Sequence, residues 1–391
     1  MSPHPPLVRG DLRDELIAIV TILRSDAVSP SKLSGLLDYV GSAVDLLPTS
    51  RGGADVAARP LLLEGLTDGA LEAAEREVGD WSSMGYDVRS VLDPTYPTNL
   101  QALFDKPPLV FVQGHWDDTA DSRAVAVVGT RAASTDGCKR AFRLASRLAE
   151  AGVTVISGMA RGIDTCAHRG ALRVHGRTIA VMGTGISRRY PSENAGLADQ
   201  ILTSGGALLS QFFPKQHPTR WTFPVRNVTM SGLAVATVVV EAGATSGAKM
   251  QAEAALTRGR AVFLPKSLVE AHDWARRMVE HGYKGAHAIL VASADEVIDR
   301  LELSPRSVPL SLDTSLFCTR PGQPEVCGNW DRPARIASVC MPVLSRAGRG
   351  IRSVFRVQQT VRLGPGGPAG TRHTDERRDQ PESLVWTPCQ L

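Results

Sequence analysis

Glycine, small polar residues and basic residues come together several times in the middle of this 391-residue sequence, each time near an apolar run. Glycine lets a backbone approach a ligand closely, and the N-terminus of a helix offers unpaired N–H groups and the positive end of the helix dipole. Together with basic side chains, this combination predicts a site for phosphate groups. The residues concerned are Gly129, Thr130, Arg131, Ser157, Gly158, Arg161, Gly162, Arg226, Asn227, Ser246, Gly247 and Lys249.

Three titratable side chains accompany these segments. Asp164 and His168 lie one helical turn apart, so the histidine could be a general base held by the carboxylate; a structural pair that braces the glycine-rich loop is the favoured interpretation. Glu241 ends an apolar run and could also be a general base; an acceptor that orders the loops through backbone N–H groups or Arg226 is favoured. We therefore predict no catalytic residue.

The sequence does not fully match either of two common nucleotide-binding motifs. After the first predicted strand, Gly129-Thr130-Arg131-Ala132 lacks the second glycine of the dinucleotide motif G-x-G-x-x-G. In the phosphate-loop motif G-x-x-x-x-G-K-[ST], Ala248 separates Gly247 from Lys249. We therefore expect no NAD, no ATP hydrolysis by this route, and no other cofactor or metal.

Two aromatic residues stand beside arginines, Trp221 after Arg220 and Phe223 shortly before Arg226. Such rings stack on bases in proteins that bind single strands. Large aromatic side chains also contribute to ordinary hydrophobic cores. The sequence leaves both interpretations open.

The elements that must position these residues alternate between strands and helices. Apolar runs favour strands buried on both faces at residues 124–128, 153–156, 178–182, 207–209, 236–240 and 261–264. Helical patterns lie between them at residues 137–151, 164–174 and 247–257. This alternation predicts an α/β fold with a doubly wound, mostly parallel sheet, whose ligand site lies at the carboxyl ends of the strands near the reversal of strand order.

The sequence divides into three regions. Residues 1–90 show short helical patterns and are predicted to form a small N-terminal helical module. Residues 91–302 hold the alternating elements and every candidate site residue. Residues 303–391 are rich in Pro, Gly, Ser and Arg, and we expect an irregular, disordered tail without a site.

The composition narrows the class of protein. With 44 Lys and Arg against 40 Asp and Glu, the net charge is only +4, so a nucleic-acid site must be a local patch rather than a global field. The Pro-rich N-terminus lacks the apolar core of a signal peptide, and no apolar run reaches the roughly 18 residues of a membrane helix. We expect a cytoplasmic protein without a membrane partner.

Cysteine usage indicates neither a disulfide scaffold nor a zinc site. No two of the six cysteines form a C-x-x-C pair. In a reducing cytosol all of them are expected to be free thiols. They are Cys138, Cys166, Cys318, Cys327, Cys340 and Cys389.

Many ordered motifs resemble the DNA-processing protein A family, also called DprA or Smf, over about residues 91–265. The first two motifs contain many of the candidate site residues. They are Val127-Val128-Gly129-Thr130-Arg131, and Ser157-Gly158-Met159-Ala160-Arg161-Gly162-Ile163-Asp164 followed by Ala167-His168. Others are Tyr190-Pro191-Ser192-Glu193-Asn194, Phe223-Pro224-Val225-Arg226-Asn227, Ser231-Gly232-Leu233, Glu241 and Ser246-Gly247.

The resemblance implies an extended Rossmann-like fold, single-stranded DNA binding, self-association as a homodimer, and loading of the RecA recombinase during natural transformation. It implies a protein that acts by binding rather than an established enzyme. Carried over by motif, Arg131, Arg161 and Arg226 fall in the family's positive pocket, and Lys249 is an addition of this sequence.

This sequence departs from the family's usual pattern at several positions. Val228 stands where another arginine is usual, Gln211 where glutamate is usual, and Lys266 where glycine follows proline. Residues 248–252 read Ala-Lys-Met-Gln-Ala instead of small-Leu-Ile-Thr-Ala. A winged helix, usual at the family's C-terminus, is not visible in residues 303–391.

Two other functions use the same candidate pocket. An enzyme similar to lysine-decarboxylase-like nucleotide phosphoribohydrolases would use Arg226 and Glu241 to cleave a glycosidic bond, but residues 242–247 lack that group's Pro-Gly-Gly-x-Gly-Thr signature. A catalytically silent nucleotide-sensing regulator is the other alternative.

Overall fold

One mixed sheet of nine strands organises the part of the chain that the computed structural model describes, residues 9–47, 66 and 69–303. In space the strands follow the order β1-β2-β6-β5-β4-β3-β7-β8-β9. Their bounds are β1 Asp87–Ser90, β2 Leu109–Gly114, β3 Val125–Gly129, β4 Val155–Ser157, β5 Thr178–Val181, β6 Ala207–Ser210, β7 Ala236–Glu241, β8 Ala261–Pro265 and β9 Ile289–Val291.

The topology of this sheet creates one reversal of strand order. The seven strands from β6 to β9 are parallel, whereas β1 and β2 extend the sheet beyond β6 as antiparallel strands. From β3 the chain adds strands in one direction as far as β6, and it then returns to the other side of β3 with β7. Open α/β sheets bind ligands at such a reversal, outside the carboxyl ends of the strands.

Helices connect the strands and cover both faces of the sheet. Two 3-10 turns, Val44–Leu46 and Ser192–Asn194, accompany them. The helices are α1 Arg9–Arg24, α2 Pro30–Val40, α3 Ala70–Ser83, α4 Thr98–Gln101, α5 Asp118–Asp121, α6 Thr135–Glu150, α7 Ile163–Arg173, α8 Ala195–Thr203, α9 Thr222–Leu233, α10 Gly247–Thr257, α11 Lys266–Ala271, α12 Asp273–Glu280 and α13 Ala294–Leu303.

Strand β3 shows why the central strands have no polar alternation. Val125 and Val127 pack into the core formed with α6 and α7. Ala126 and Val128 point to the opposite face and belong to the larger core that also holds residues of α9 and α10. Because successive side chains of a strand alternate between faces, a strand covered on both sides needs apolar residues at every position.

The N-terminal helices share the core of the larger face. Ile19 of α1 and Leu37 of α2 are fully buried in it. Trp81 of α3 packs edge-on against Phe111 of β2, with 5.0 Å between ring centroids. Strand β1 lies inside the region assigned to the helical module, yet it extends the sheet; the domain limits at residues 90 and 302 stay predictions. Residues 304–391 lie outside the described part.

The predicted fold class is confirmed. All six predicted strands are present, with ends shifted by at most two residues, and the helix expected at 247–257 has those bounds. Strands β1, β2 and β9 were not predicted. Two of these are edge strands of three or four residues, too short for a periodic pattern.

The expectation of free thiols is wrong for Cys138 and Cys166, which form a disulfide. Helices α6 and α7 pack side by side, and Gly170 permits their close approach, because a Cβ there would collide with the backbone of Phe142. The first turns of both helices therefore meet, with 5.5 Å between the Cα atoms of the two cysteines, a spacing that suits a disulfide. The other four cysteines lie outside the described residues.

Candidate nucleic-acid interface

A cleft of about 350 Å³ opens at the carboxyl ends of β3, β4 and β5. Its walls come from the loops after these strands and from the first turns of α9. Arg131, Gly158, Arg161 and Arg226 were predicted to bind phosphate, and the structure brings these four residues together at the cleft. The complete lining is Arg131, Ala132, Gly158, Ala160, Arg161, Gly183, Tyr190, Pro191, Phe223 and Arg226.

Arg226 forms the floor of the cleft and is only 4% exposed. Its Nη1 donates to the carbonyl oxygens of Gly158 and of Val181, the latter at 2.7 Å, and its Nε donates to Asn227 Oδ1 at 2.9 Å. Burial lowers the pKa of Arg226, and the nearby carboxylate of Asp164 opposes that shift. The guanidinium therefore joins the loops after β4 and β5 and leaves positive charge beneath the cleft.

Gly158 is required for this arrangement. A Cβ at this position would lie inside the guanidinium of Arg226. Gly158 thus lets the buried guanidinium of Arg226, rather than a ligand, approach the backbone closely.

Asp164 accepts hydrogen bonds from the loop after β4. Its Oδ2 accepts hydrogen bonds from the backbone N–H groups of Gly158 at 3.1 Å and Ala160 at 3.3 Å. Burial raises the pKa of Asp164, while the charge of Arg226 and the backbone hydrogen bonds oppose that rise. The buried carboxylate of Asp164 and the buried guanidinium of Arg226 carry opposite charges, and each offsets the cost of burying the other.

His168 does not pair with Asp164, contrary to the prediction. Its Nδ1 lies 2.8 Å from the hydroxyl of Thr178, which itself donates to the carbonyl oxygen of Val155 at 2.7 Å. Since the hydroxyl has one hydrogen, Nδ1 of His168 must carry the proton and donate it. Burial, with a smaller effect of Arg226, lowers the pKa of His168 to about 3, so the ring is neutral and braces β4 and β5.

Glu241 accepts hydrogen bonds at the N-terminus of α6. Its carboxylate accepts from Ser134 N at 3.0 Å and from Ser134 Oγ at 2.7 Å, and Arg140 lies 3.4 Å away. Ser134 Oγ in turn caps the helix by accepting from Gly137 N. The chain's own carboxylate thus occupies the anion position that the sequence offered to a phosphate, and Arg226 is not its partner. This engagement with Ser134 does not favour the role of a hydrolytic base.

Gly129, Thr130, Ser157 and Gly162 support the cleft without lining it. Thr130 N donates to the carbonyl oxygen of Glu241 at 2.7 Å, and Ser157 Oγ donates to the carbonyl oxygen of Val127 at 2.7 Å. A Cβ at Gly129 or Gly162 would collide with neighbouring backbone or side-chain atoms. These residues hold the loops after β3 and β4 against each other.

Another group of predicted residues lies at the start of α10 and does not line the cleft. Ser246 caps this helix by accepting from Ala248 N at 3.1 Å, and Asn227 donates to the carbonyl oxygen of Gly247 at 3.3 Å. Lys249 pairs with Glu253 on the next turn of the same helix, at 3.8 Å. Lys249 is therefore not among the residues that line the cleft.

The accessible wall of the cleft combines guanidinium groups with aromatic rings. The guanidinium of Arg131 lies over the ring of Phe223, 4.9 Å from its centroid, and Tyr190 lies 5.7 Å from the same ring. Arg161 is 68% exposed and pairs with Glu193 at the rim. Tyr190 and Pro191 were not among the predicted site residues, although their position after the strand β5 could have indicated them.

Within the described ranges, no group of three or more His, Cys, Asp or Glu side chains could hold a metal ion. The described helices include none that is both long and apolar enough to cross a membrane.

Comparison of the sequence with known proteins identifies the following relatives. The sequence model of the family described as DNA recombination-mediator protein A matches residues 87–302. DNA processing protein DprA of Streptococcus pneumoniae is 37% identical over 215 residues, which are 54% of this chain and 73% of that protein. Protein Smf of Escherichia coli is 38% identical over 227 residues, 57% of this chain and 58% of that protein.

The fold comparison agrees. The X-ray structure of DNA processing protein A from Streptococcus pneumoniae matches with a TM-score of 0.57 and 29% sequence identity. The match covers 72% of this chain and 96% of that one.

Proposed function

This chain belongs to the DNA recombination-mediator protein A family, and we propose that it binds single-stranded DNA in the cleft between the loops after β3, β4 and β5. The observation that carries this proposal is the pairing of exposed arginines with aromatic rings in one cleft. Arg131 and Arg161 supply the charge, and Tyr190 and Phe223 supply the rings.

Each of these groups matches one part of an unpaired strand. A guanidinium binds a phosphate with two parallel hydrogen bonds, and an aromatic ring stacks on a base. The face of a base is free for stacking on protein only where the base has left the duplex. The cleft is therefore suited to a single strand, and contacts to phosphates and base faces do not read sequence.

The family relationship supports a place in recombination. We propose that the protein loads the RecA recombinase onto single-stranded DNA, as in natural transformation, and that it acts as a cytoplasmic homodimer. A second copy would extend the positive surface along a strand, which favours long substrates over short ones. These roles rest on the similarity to proteins described as recombination mediators.

The test replaces the two exposed arginines, Arg131→Ala with Arg161→Ala. Arg226 is left unchanged, because its guanidinium holds two carbonyl groups inside the fold. Fluorescence anisotropy with labelled oligo-dT measures affinity at several salt concentrations. We expect a loss of roughly 10- to 100-fold at low salt, and a slope of log K against log salt that is shallower by about 1.4, since each lost contact removes about 0.7 for a single strand.

A matched control carries the same change of charge elsewhere. Arg173→Ala with Arg276→Ala removes two exposed arginines, of which Arg173 lies at the far end of α7 from the cleft. This control should bind DNA like the wild type. Equal affinity of the cleft variant and the control would show that DNA, if bound, uses another surface.

A further inference from the structure

Trp221 exposes a large aromatic surface beside the cleft. The indole is 55% exposed, although most large apolar side chains of the described residues are buried. It is nevertheless held in place, because the buried ring of Phe212 packs against it at nearly a right angle, 5.5 Å between centroids. An exposed ring with a fixed orientation is suited to stacking on a ligand.

The start of α9 places the backbone of Trp221 close to a residue that lines the cleft. Trp221 immediately precedes the helix and has helical backbone angles, and Phe223, two residues later, lines the cleft. Two residues along such a turn are about 5 Å apart at their Cα atoms. A strand held in the cleft could therefore place its next nucleotide at the position of Trp221.

Two loops are joined into one rigid support for this surface. Gly185 N donates to the carbonyl oxygen of Gln216 at 3.0 Å, and Ser187 N donates to that of Pro214 at 3.2 Å. Arg188 Nε donates to the carbonyl oxygen of Lys215 at 2.8 Å. The loop after β5, which also supplies the cleft residues Gly183 and Tyr190, is therefore continuous with the loop that leads from β6 to Trp221.

Positive charge on this support has no acidic partner among the described residues. Arg188 donates to Nε2 of His217 at 2.7 Å. Neither Arg188 nor Lys215 forms an ion pair with a described carboxylate, in contrast to Arg161 with Glu193. We call Arg188, Phe212, Lys215, His217 and Trp221 the Trp221 ridge.

We propose that the Trp221 ridge binds the nucleotide next to the one held in the cleft. Its base stacks on the indole of Trp221, and its phosphate faces Arg188 and Lys215. This inference rests on the proposed DNA binding in the cleft and adds a second subsite to it. The occupied length of strand therefore extends from the cleft toward the loop that follows β6.

The experiment compares Trp221→Ala, Trp221→Phe and the wild type in the full chain. With oligo-dT long enough to cover both subsites, Trp221→Ala should bind roughly 5- to 100-fold more weakly, the range for loss of one base–aromatic stack. Trp221→Phe keeps an aromatic face and should restore most of the affinity. Tyr39→Ala, which removes a 74% exposed ring from α2, is the control and should bind as the wild type does.

A second readout reports stacking itself. 2-Aminopurine placed at successive positions of the oligonucleotide loses fluorescence when it stacks on an aromatic ring, so one position should be quenched by the wild type and not by Trp221→Ala. The monophosphate dTMP fills only the cleft, and it should bind both proteins equally.

The outcomes separate the two proposals. If the wild type binds no single-stranded DNA, the proposed function fails and the ridge fails with it. If the wild type binds and Trp221→Ala matches it in affinity and quenching, the ridge proposal alone is overturned.

Discussion

His168 shows how much a buried side chain depends on partners that are distant in sequence. It is neutral because burial lowers its pKa to about 3, compared with about 6.5 in an unfolded chain. A histidine with a depressed pKa contributes stability that is complete above the unfolded pKa. That contribution is lost as the pH falls from about 6.5 toward 3, since the unfolded state then takes up the proton more readily.

Because of His168, we expect the free energy of unfolding of the wild type to fall by about 2 kcal/mol from pH 7 to pH 5. In His168→Asn, the amide N–H of the asparagine replaces the Nδ1–H group of the histidine and can still donate to Thr178. The asparagine side chain has no group that titrates. Urea unfolding at both pH values should therefore show a smaller loss in the variant. The raised pKa of Asp164 acts in the opposite direction in both proteins, so the difference between them isolates His168. Parallel pH curves for the two proteins would contradict the buried neutral state.

At the scale of single residues, the sequence predicted positions better than contacts. Arg131, Arg161 and Arg226 were placed at one cleft because each follows a predicted strand or opens a helix at the same sheet edge. Nothing in the sequence showed that Arg226 is buried or that His168 bonds to Thr178, since those contacts join helices α9 and α7 to strand β5. Spacing along one helix predicted the wrong partner for His168.

At the scale of elements, the disulfide joins the two helices whose preceding loops carry the exposed arginines. Cys138 lies in the first turn of α6 after the Arg131 loop, and Cys166 lies in the first turn of α7 after the Arg161 loop. The bond closes a loop with a sequence separation of 28 residues. Restricting such a loop in the unfolded chain stabilises a protein by roughly 2–4 kcal/mol.

Cys138→Ala with Cys166→Ala should therefore lower the free energy of unfolding by roughly 2–4 kcal/mol in an oxidising buffer. Guanidinium unfolding of both proteins measures the difference. In an excess of a dithiol reductant the wild type should approach the stability of the variant, which serves as the control for side-chain packing. Equal stabilities in the oxidising buffer would mean that the bond does not form in solution.

Elements with long apolar runs were predictable, and edge elements were not. The central strands are buried on both faces and so carry an uninterrupted apolar signal. Strand β1, with the sequence Asp-Val-Arg-Ser, has one neighbour in the sheet and no such signal. The pairing of β2 with β6 joins residues about a hundred positions apart, and no local pattern records it.

At the scale of the whole molecule, alternation of strands and helices predicted the fold class, and the ordered motifs predicted the family, which the comparisons confirm. The strand order was not predicted, because it depends on which crossover packs against which face. That order decides the site: the reversal lies between β3 and β7, but Glu241 fills the crevice there. The open cleft consequently extends from the loop after β3 over β4 and β5, on the side of β3 away from β7.

The small net charge of +4 leads to a prediction about how DNA affinity depends on salt. A protein with little overall charge binds DNA only through the phosphates that it contacts locally, so affinity should depend on salt with a small slope. In one copy of the chain, Arg131 and Arg161 in the cleft, with Arg188 and Lys215 on the Trp221 ridge, provide four such contacts. For oligo-dT short enough to occupy one copy, we therefore expect a slope of log K against log salt between about −1.5 and −3, and weaker binding of the matching duplex, whose base faces are covered. Anisotropy over a salt series with both DNAs measures this. A slope steeper than about −5, or equal affinity for duplex, would place the binding on a broad basic surface outside the cleft.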